Sequence, residues 1–168
     1  MAMHKRTLLT LLAAAPLAGC GFRLRGAPQF AFRSLYVKAD AAPLLGRELT
    51  RTLQGAGGNL QLLTDPAQLP QAEAVLELLS ERRERVVVSL SASGQVRELQ
   101  LRLSTRFRLR GQKGQEWIAP TDLQQQRDVS YNESVALSKE AEEQLLYRNM
   151  QSDLVQQLLR RIAAVKPQ

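Results

Sequence analysis

The segment 96–110 (VRELQLRLSTRFRLR) alternates apolar and polar residues with little interruption. One side of the alternation carries Leu99, Leu101, Leu103, Thr105, Phe107 and Leu109. The other side carries Glu98, Gln100, Arg102, Ser104, Arg106, Arg108 and Arg110. Successive side chains of a β-strand point to opposite faces of the sheet. The segment therefore predicts a strand of an antiparallel sheet that has one buried face and one hydrated face.

The segments around it predict further strands. The preceding segment, 74–90, has apolar residues at even positions near both ends, and Ser91-Ala92-Ser93-Gly94 is typical of a hairpin loop. A third strand follows over 116–131, and its interruption at Pro120 indicates a bulge or an edge position. An earlier strand is predicted at 30–37, and 59–63 is compatible with a short one.

Two helices are predicted. The first begins with Asp40 as its N-cap and Pro43 in its first turn, and it ends at the glycines of 55–58. The second begins at Ser134 or Ser138 and runs to about Ala164. The first helix has an apolar stripe of Leu45, Leu49 and Leu53. The second has a stripe of Ala141, Leu145, Leu154, Val155, Leu158, Leu159 and Ile162.

These elements predict an α+β fold. We expect a two-layer sandwich in which one mostly antiparallel or mixed four-stranded sheet carries both helices on one face, because that arrangement covers every apolar stripe. The second stripe is better explained by packing on the sheet than by a partner-binding groove. Residues 20–168 are enough for one domain with a real core and few for two.

The N-terminus has the pattern of an export signal. Basic residues precede a short apolar run over 8–17, and small residues lead to Cys20, the only cysteine. The run is too short to span a bilayer. Residues 17–20 (LAGC) resemble the lipobox of bacterial lipoproteins, which implies removal of residues 1–19 and acylation of Cys20. Gly21 after the cysteine, in place of aspartate, favours the outer membrane, facing the periplasm.

The predicted mature domain has few side chains suited to catalysis or metal binding. His4, the only histidine, lies in the signal, and Cys20 is used by the anchor. The commonest transition-metal ligands and the usual base for an activated serine are therefore missing. The glycines of 55–58 follow a helix, whereas a phosphate-binding loop opens one. We expect no cofactor, no metal and no catalysis.

The net charge predicts an anionic partner outside the cytosol. The chain is formally +7, which becomes +5 once Lys5 and Arg6 leave with the signal. In the cytosol such a charge favours nucleic acid, but an exported protein does not meet it, and we expect no nucleic-acid partner. The periplasm offers phospholipid head groups, cell-wall carboxylates and the phosphates of lipopolysaccharide.

Arginines crowd the predicted hydrated face. If Leu90 opposes Gln95, the numbers of opposing residues sum to 185, so that Leu76 opposes Leu109, Val86 opposes Leu99 and Arg83 opposes Arg102. Like charges placed opposite one another are destabilising. Two interpretations remain open: a solvated face whose arginines splay apart, or a site where an anion relieves the repulsion. The hypothetical anion site consists of Arg83, Arg85, Arg102, Arg106 and Arg108. Trp117 lies beside Arg108 if Arg110 opposes Gln115.

The mature N-terminus, Cys20-Gly21-Phe22-Arg23-Leu24-Arg25-Gly26, resembles the LPS-assembly lipoproteins of the LptE family, which commonly open with Cys-Gly-Phe and then Leu-Arg-Gly. Tyr131-Asn132 and a closing helix with Arg148-Asn149-Met150 also resemble that family. The resemblance implies an α/β domain tethered inside the outer membrane, plugging the LptD β-barrel, supporting its assembly and binding lipopolysaccharide. Strands 74–118 match the family by pattern only, so the resemblance does not assign binding residues within them.

Two other functions remain open from the residues alone. One is a lipoprotein auxiliary to a phospholipid transporter, which would associate with an inner-membrane ATPase complex. The other is a carboxylate-only cell-wall hydrolase, which needs acidic side chains that converge in a cleft. Glu81, Glu84 and Glu98 are its candidates, although the alternation scatters them over the two faces.

Overall fold

The computed structural model describes residues 29–58, 60–132 and 136–166, and the side chains of these except 136 and 137. The predicted signal, Cys20, the motif of residues 20–26 and Ser134 lie outside the described residues. In chain order the elements are β1 (Ser34–Lys38), α1 (Pro43–Gly55), β2 (Gln61–Leu63), a 3₁₀ helix (Pro66–Gln71), β3 (Ala74–Leu90), β4 (Val96–Gly111), β5 (Glu116–Ser130) and α2 (Ala136–Ala163).

The predicted α+β sandwich is confirmed, with five strands instead of four. The strand order is β2-β1-β3-β4-β5. β1 pairs in parallel with β2 and with β3, whereas β3, β4 and β5 form an antiparallel meander. The fifth strand is the short segment Gln61–Leu63, which extends the sheet beyond β1. Pro120 lies in the edge strand β5, where the register with β4 shifts, as its sequence predicted.

The core lies between the sheet and both helices. α1 contributes its predicted leucines, and β4 contributes the apolar side of its alternation. In α2 the last five residues of the predicted stripe are buried, but Ala141 and Leu145 are exposed. The first half of α2 instead buries Glu143, Tyr147 and Met150. The helix face of the sheet is therefore apolar under the second half of α2 and partly charged under its first half.

A second, smaller core lies on the opposite face of the sheet. Tyr36, Leu63, Ala72 and Val75 are buried together there. Tyr36 pairs with Val75, and the residues flanking this pair belong to the main core, so the pair must point the other way. The 3₁₀ helix precedes Ala72, and its N-cap is Asp65, whose side chain accepts from the N–H of Ala67. The sequence did not predict this second core.

The predicted register of β3 and β4 is right at one end and wrong over most of its length. Leu76 opposes Leu109 and Leu78 opposes Phe107, as predicted, but the next pair joins Ser80 to Arg106. Leu79 is therefore the extra residue of a β-bulge. From the bulge to Val87, the odd-numbered residues of β3 face the helices in place of the even-numbered ones. The register shifts again after Val87, and Leu90 pairs with Val96, not with Gln95 as predicted.

The bulge removes the predicted clash of like charges. Arg83 opposes Leu103, and Arg102 opposes Glu84. The predicted pairs of Arg83 with Arg102 and of Val86 with Leu99 are wrong, because each assumed an unbroken alternation through Leu79.

The N-cap of α1 also differs from the prediction. The cap position is Ala42, whose side chain makes no capping hydrogen bond, and Asp40 lies before it. The carboxylate of Glu81, on β3, accepts the N–H of Leu45 at 3.1 Å. At the other end α1 stops at Gly55, as predicted, and Gly57 and Gly58 follow with positive φ angles of 64° and 100°.

Candidate anion-binding surfaces

The structure divides the five predicted arginines between the two faces of the sheet. Arg83 and Arg85 follow the bulge and face the helices. Arg102, Arg106 and Arg108 are on the even side of β4 and face away from the helices, on what we call the open face. The five do not form one site, because the bulge at Leu79 reverses the facing of β3 and leaves that of β4 unchanged.

Arg83 and Arg85 are partners of α2. Arg83 donates to the side-chain oxygen of Gln151 at 3.0 Å and lies over the ring of Tyr147, 5.2 Å from its centroid. Arg85 lies 3.1 Å from the Glu143 carboxylate and 5.1 Å from the centroid of the Tyr131 ring. These contacts replace apolar packing beneath the first half of α2. Both guanidinium groups have partners within the fold, while their side chains are 33% and 46% exposed at its edge.

Tyr147 ties the same helix to the backbone of β3. Its hydroxyl donates to the carbonyl of Glu84 at 2.8 Å. Burial raises the pKa of Tyr147, and the nearby carboxylate of Glu143 raises it further. The hydroxyl therefore stays protonated, and able to donate this hydrogen bond, to a higher pH than an ordinary tyrosine.

Arg108 is neutralised by a buried carboxylate. Glu77 accepts from Arg108 and, at 2.6 Å, from Arg110, and its own exposure is 6%. Burial alone raises the pKa of Glu77, but the hydrogen bonds and charges of the two arginines outweigh it, so its pKa lies below the ordinary value. Arg108 is thus held within the fold and contributes little to an anion site.

Arg106 is exposed on the open face, and Arg102 is half-buried beside it. Arg102 donates to the side chain of Gln100 at 2.7 Å and opposes Glu84. Arg106 is exposed, between Ser80 on β3 and Asp122 on β5. Of the five predicted arginines, these two are the ones placed to meet a ligand on the open face.

Trp117 does not add a stacking surface to the arginines of the open face. It stacks on Phe32, with ring centroids 5.8 Å apart, and packs against the main core. Arg110 pairs with Glu116, not with Gln115 as predicted, so the predicted placement of Trp117 is wrong.

A cavity of about 720 Å³ opens at the end of the sheet that carries the β3–β4 hairpin loop. We call it the end cleft. Its lining residues are Ser91, Gln95, Val96, Arg97, Ser130, Tyr131, Asn132 and Lys139. Arg97 is exposed, and the ammonium of Lys139 lies 2.7 Å from Glu142 and 3.4 Å from the hydroxyl of Ser130. The cleft offers an anion the exposed Arg97, the ammonium of Lys139, whose side chain is 17% exposed and paired with Glu142, and several hydrogen-bond donors.

Sequence reasoning did not find the end cleft. Its cations lie far apart in the sequence and meet because β5 brings the chain from the hairpin to the start of α2. The N–H of Tyr131 donates to the carbonyl of Arg97 at 2.8 Å, which fixes the end of β5 beside the hairpin. The only signal was the resemblance carried by Tyr131-Asn132.

The acidic candidates for a hydrolase do not converge. Glu81 faces the helices and binds α1. Glu84 and Glu98 lie on the open face, where they oppose Arg102 and Ser130 at different positions along β4. A pair of carboxylates acting on one bond must share a cleft, and these three residues do not.

Comparison with known proteins assigns the family. Residues 32–162 match the family model LptE, described as lipopolysaccharide-assembly. The chain belongs to the LptE family. The LPS-assembly lipoprotein LptE of Yersinia enterocolitica is 31% identical over 170 residues, covering 97% of this chain and 78% of that protein. The LptE of Pectobacterium atrosepticum is 29% identical over 161 residues, covering 95% and 85%.

Solved structures of lipoproteins share the fold. The solution structure of lipoprotein B from Nitrosomonas europaea matches with a TM-score of 0.72 and 30% identity, covering 86% of this chain and 91% of that one. The rare lipoprotein B of Shewanella oneidensis matches with a TM-score of 0.65 and 26% identity, covering 78% and 94%. The resemblance to LptE proteins that the sequence indicated is thereby confirmed.

Family membership sets the general role of the chain. As an LptE protein it is a lipoprotein of the lipopolysaccharide-assembly system and, as predicted, not an enzyme. Within the described ranges, neither helix has the length and apolar character needed to cross a bilayer.

Proposed function

We propose that this LptE protein is an outer-membrane lipoprotein that supports assembly of an LptD-type β-barrel, plugs its lumen and binds lipopolysaccharide during insertion into the outer leaflet. Acyl chains on Cys20, once residues 1–19 are removed, hold it at the inner leaflet, facing the periplasm and the barrel lumen. The lipobox resemblance implies several acyl chains on that residue. Stable anchoring needs more than one, because a single acyl chain gives only marginal membrane binding. The relatives named LPS-assembly lipoprotein support the same role.

The open face suits a wet lumen. The even residues of β4 present charged and amide side chains there, and β5 adds Asp122, Gln124, Gln126 and Asp128. The interior of a large membrane barrel is polar and hydrated. A domain whose sheet is covered by helices on one face, and whose other face is polar along β4 and β5, can fill such a lumen and stay hydrated.

The end cleft is the single feature that best supports lipopolysaccharide binding. It is concave, and Arg97 and Lys139 are the two basic residues of its lining. Arginine and lysine bind phosphate through charge-assisted hydrogen bonds. Arg102 and Arg106 form a second cationic surface, on the open face, and they are two of the five residues of the predicted arginine site.

Charge-reversal variants test binding and locate it. We would titrate three double variants with lipopolysaccharide in low detergent: Arg97→Glu with Lys139→Glu, Arg102→Glu with Arg106→Glu, and Arg51→Glu with Arg160→Glu. The last is a control, because Arg51 and Arg160 are exposed on the two helices and the change in net charge is the same. We expect the cleft variant to weaken binding by about tenfold or more, since each lost charged hydrogen bond is worth about 1.5 kcal/mol or more.

The other variants identify which surface contributes. A smaller loss in the open-face variant, with the control like wild type, supports the cleft as the main site. If wild type and the three variants titrate equally, neither surface binds lipopolysaccharide. If all three variants bind equally weakly, binding depends on the net charge of the protein and not on either surface.

The phospholipid-transporter alternative has no observation of its own in its favour. It shares the anchor and the basic charge, and the family match favours lipopolysaccharide assembly over it. Phospholipid vesicles belong in the same titration, because a preference for them over lipopolysaccharide would reverse this ranking.

A further inference from the structure

An apolar strip lies at the hairpin end of the sheet. Val87, Val88 and Leu90 are 49%, 47% and 57% exposed. The other large apolar side chains exposed in the described part of the chain are scattered, at Leu44, Leu69, Leu79 and Leu145. Single exposed apolar residues are ordinary on protein surfaces. These three lie within four positions, and Val88 is the extra residue of a second bulge, because Val87 pairs with Leu99 and Ser89 with Glu98. The bulge breaks the alternation that would otherwise place neighbouring side chains on opposite faces. Exposed apolar residues grouped in this way mark interaction sites.

This strip borders the end cleft. Leu90 pairs with Val96 across the hairpin, and Ser91 follows Leu90 in the chain. Val96 and Ser91 both line the cleft. Arg97 comes next along β4 after Val96. Apolar surface and cationic surface therefore meet at one rim, within a few residues on each strand of the hairpin.

We infer that the strip receives acyl chains of the same phosphorylated glycolipid whose anionic groups enter the end cleft. This inference rests on the proposed binding of lipopolysaccharide and names the part of the lipid that a second surface contacts. A glycolipid joins its anionic sugar directly to its acyl chains, so the surface that binds this junction needs cations beside apolar side chains. The rim of the end cleft places cations beside apolar side chains in this way.

The energetics of taking up one lipid favour such a strip. Removing a lipid from an aggregate exposes acyl methylenes to water, and each exposed methylene costs free energy. Cations in the cleft act on the head group and leave the acyl methylenes in water, so an apolar surface beside them lowers the remaining cost. A polar barrel lumen gives the strip no apolar partner, whereas an acyl chain does.

Two lipids and two double variants test the inference. The protein is titrated with lipopolysaccharide and with chemically deacylated lipopolysaccharide, which keeps the sugar and the phosphates. The strip variant is Val88→Ser with Leu90→Ser, and the control is Leu44→Ser with Leu69→Ser, which removes similar apolar surface elsewhere. We expect the strip variant to bind the acylated lipid about tenfold more weakly than wild type. It should bind the deacylated lipid as wild type does, and the control should match wild type with both lipids.

The outcomes separate this inference from the proposed function. If wild type binds neither lipid, the proposed function fails. If wild type binds both lipids equally, or the strip variant binds the acylated lipid as wild type does, the inference is overturned while cleft binding stands. Normal lipid binding together with lost co-purification of the barrel would make the strip a protein contact and overturn it as well. Leu90→Ser alone replaces the double variant if thermal unfolding shows that the double variant does not fold.

Discussion

Glu81 on β3 accepts a hydrogen bond from the backbone N–H of Leu45, in the first turn of α1, at 3.1 Å. The first N–H groups of a helix have no partner within the helix, and the residue at the cap position, Ala42, supplies none. A carboxylate also interacts favourably with the positive end of the helix dipole. A residue 36 positions away thus performs the capping that the sequence assigned to Asp40.

Removing this cap lowers stability. We expect Glu81→Ala to reduce the free energy of unfolding by about 1 kcal/mol, the usual effect of losing an N-cap. Asp40→Ala is the matched control, and we expect it to be nearly neutral. Urea denaturation of the two variants measures both effects, and an equal loss in the two would contradict the assignment.

Glu77 makes the stability of the fold depend on acid pH. Its pKa is lowered below the ordinary value of 4.5 by Arg108 and Arg110, against the opposing effect of burial. The unfolded state therefore binds this proton first as the pH falls, so the stabilisation is fully present above pH 4.5 and is lost as the pH falls through the lowered pKa.

A pair of carboxylate variants tests this dependence. We expect Glu77→Gln to cost about 2 kcal/mol at pH 7, and the difference from wild type should shrink steadily below pH 4.5. Glu116→Gln removes a more exposed carboxylate 3.9 Å from Arg108 and should change stability little. Unfolding free energies measured from pH 7 to pH 2 check both. A difference that grows on acidification would be the wrong sign for a lowered pKa.

The bulge at Leu79 predicts different roles for adjacent arginines. Arg83 contacts Gln151 and Tyr147, whereas the side chain of Arg82 is 71% exposed on the open face. We expect Arg83→Ala to lower the free energy of unfolding by about 1 kcal/mol and Arg82→Ala to change it by less than about 0.5 kcal/mol. Chemical denaturation measures the pair. A larger effect at Arg82 would favour an unbulged strand.

Two glycines of α1 respond oppositely to alanine. A Cβ added at Gly46 would clash with the Cβ of Ala39, whereas a Cβ added at Gly55 would meet open space. We expect Gly46→Ala to destabilise by about 1–3 kcal/mol through overpacking, and Gly55→Ala to stabilise by about 0.5 kcal/mol. Thermal unfolding distinguishes them by sign. A neutral Gly46→Ala would mean that α1 lies farther from the loop before it.

The sequence predicted the fold because its periodic segments are long. The alternation over 96–110 fixes both the strand and its buried face, and the leucine stripe of the first helix fixes the side it buries. The bulge was not predictable in the same way. Leu78 and Leu79 are both apolar, so the change of phase between them leaves no break in the pattern, and the later residues of β3 are too charged to show which side is buried.

The candidate site was less predictable than the fold. The partners of Arg83 and Arg85 come from α2, and the end cleft needs the hairpin, the end of β5 and the start of α2 together. Local rules act over a few residues, which is why Asp40 was a reasonable cap by sequence and Glu81 is the cap in the structure. Only the tertiary fold decides which charges are used internally and which remain open.

Gentle detergent extraction of the native protein, followed by mass analysis of the protein and of all that stays bound, tests the central claim most directly. The account predicts an N-terminal Cys20 carrying acyl chains, a large outer-membrane β-barrel in stoichiometric amount, and bound lipopolysaccharide. A soluble protein with an unmodified thiol at Cys20, recovered without barrel or lipid, would contradict it.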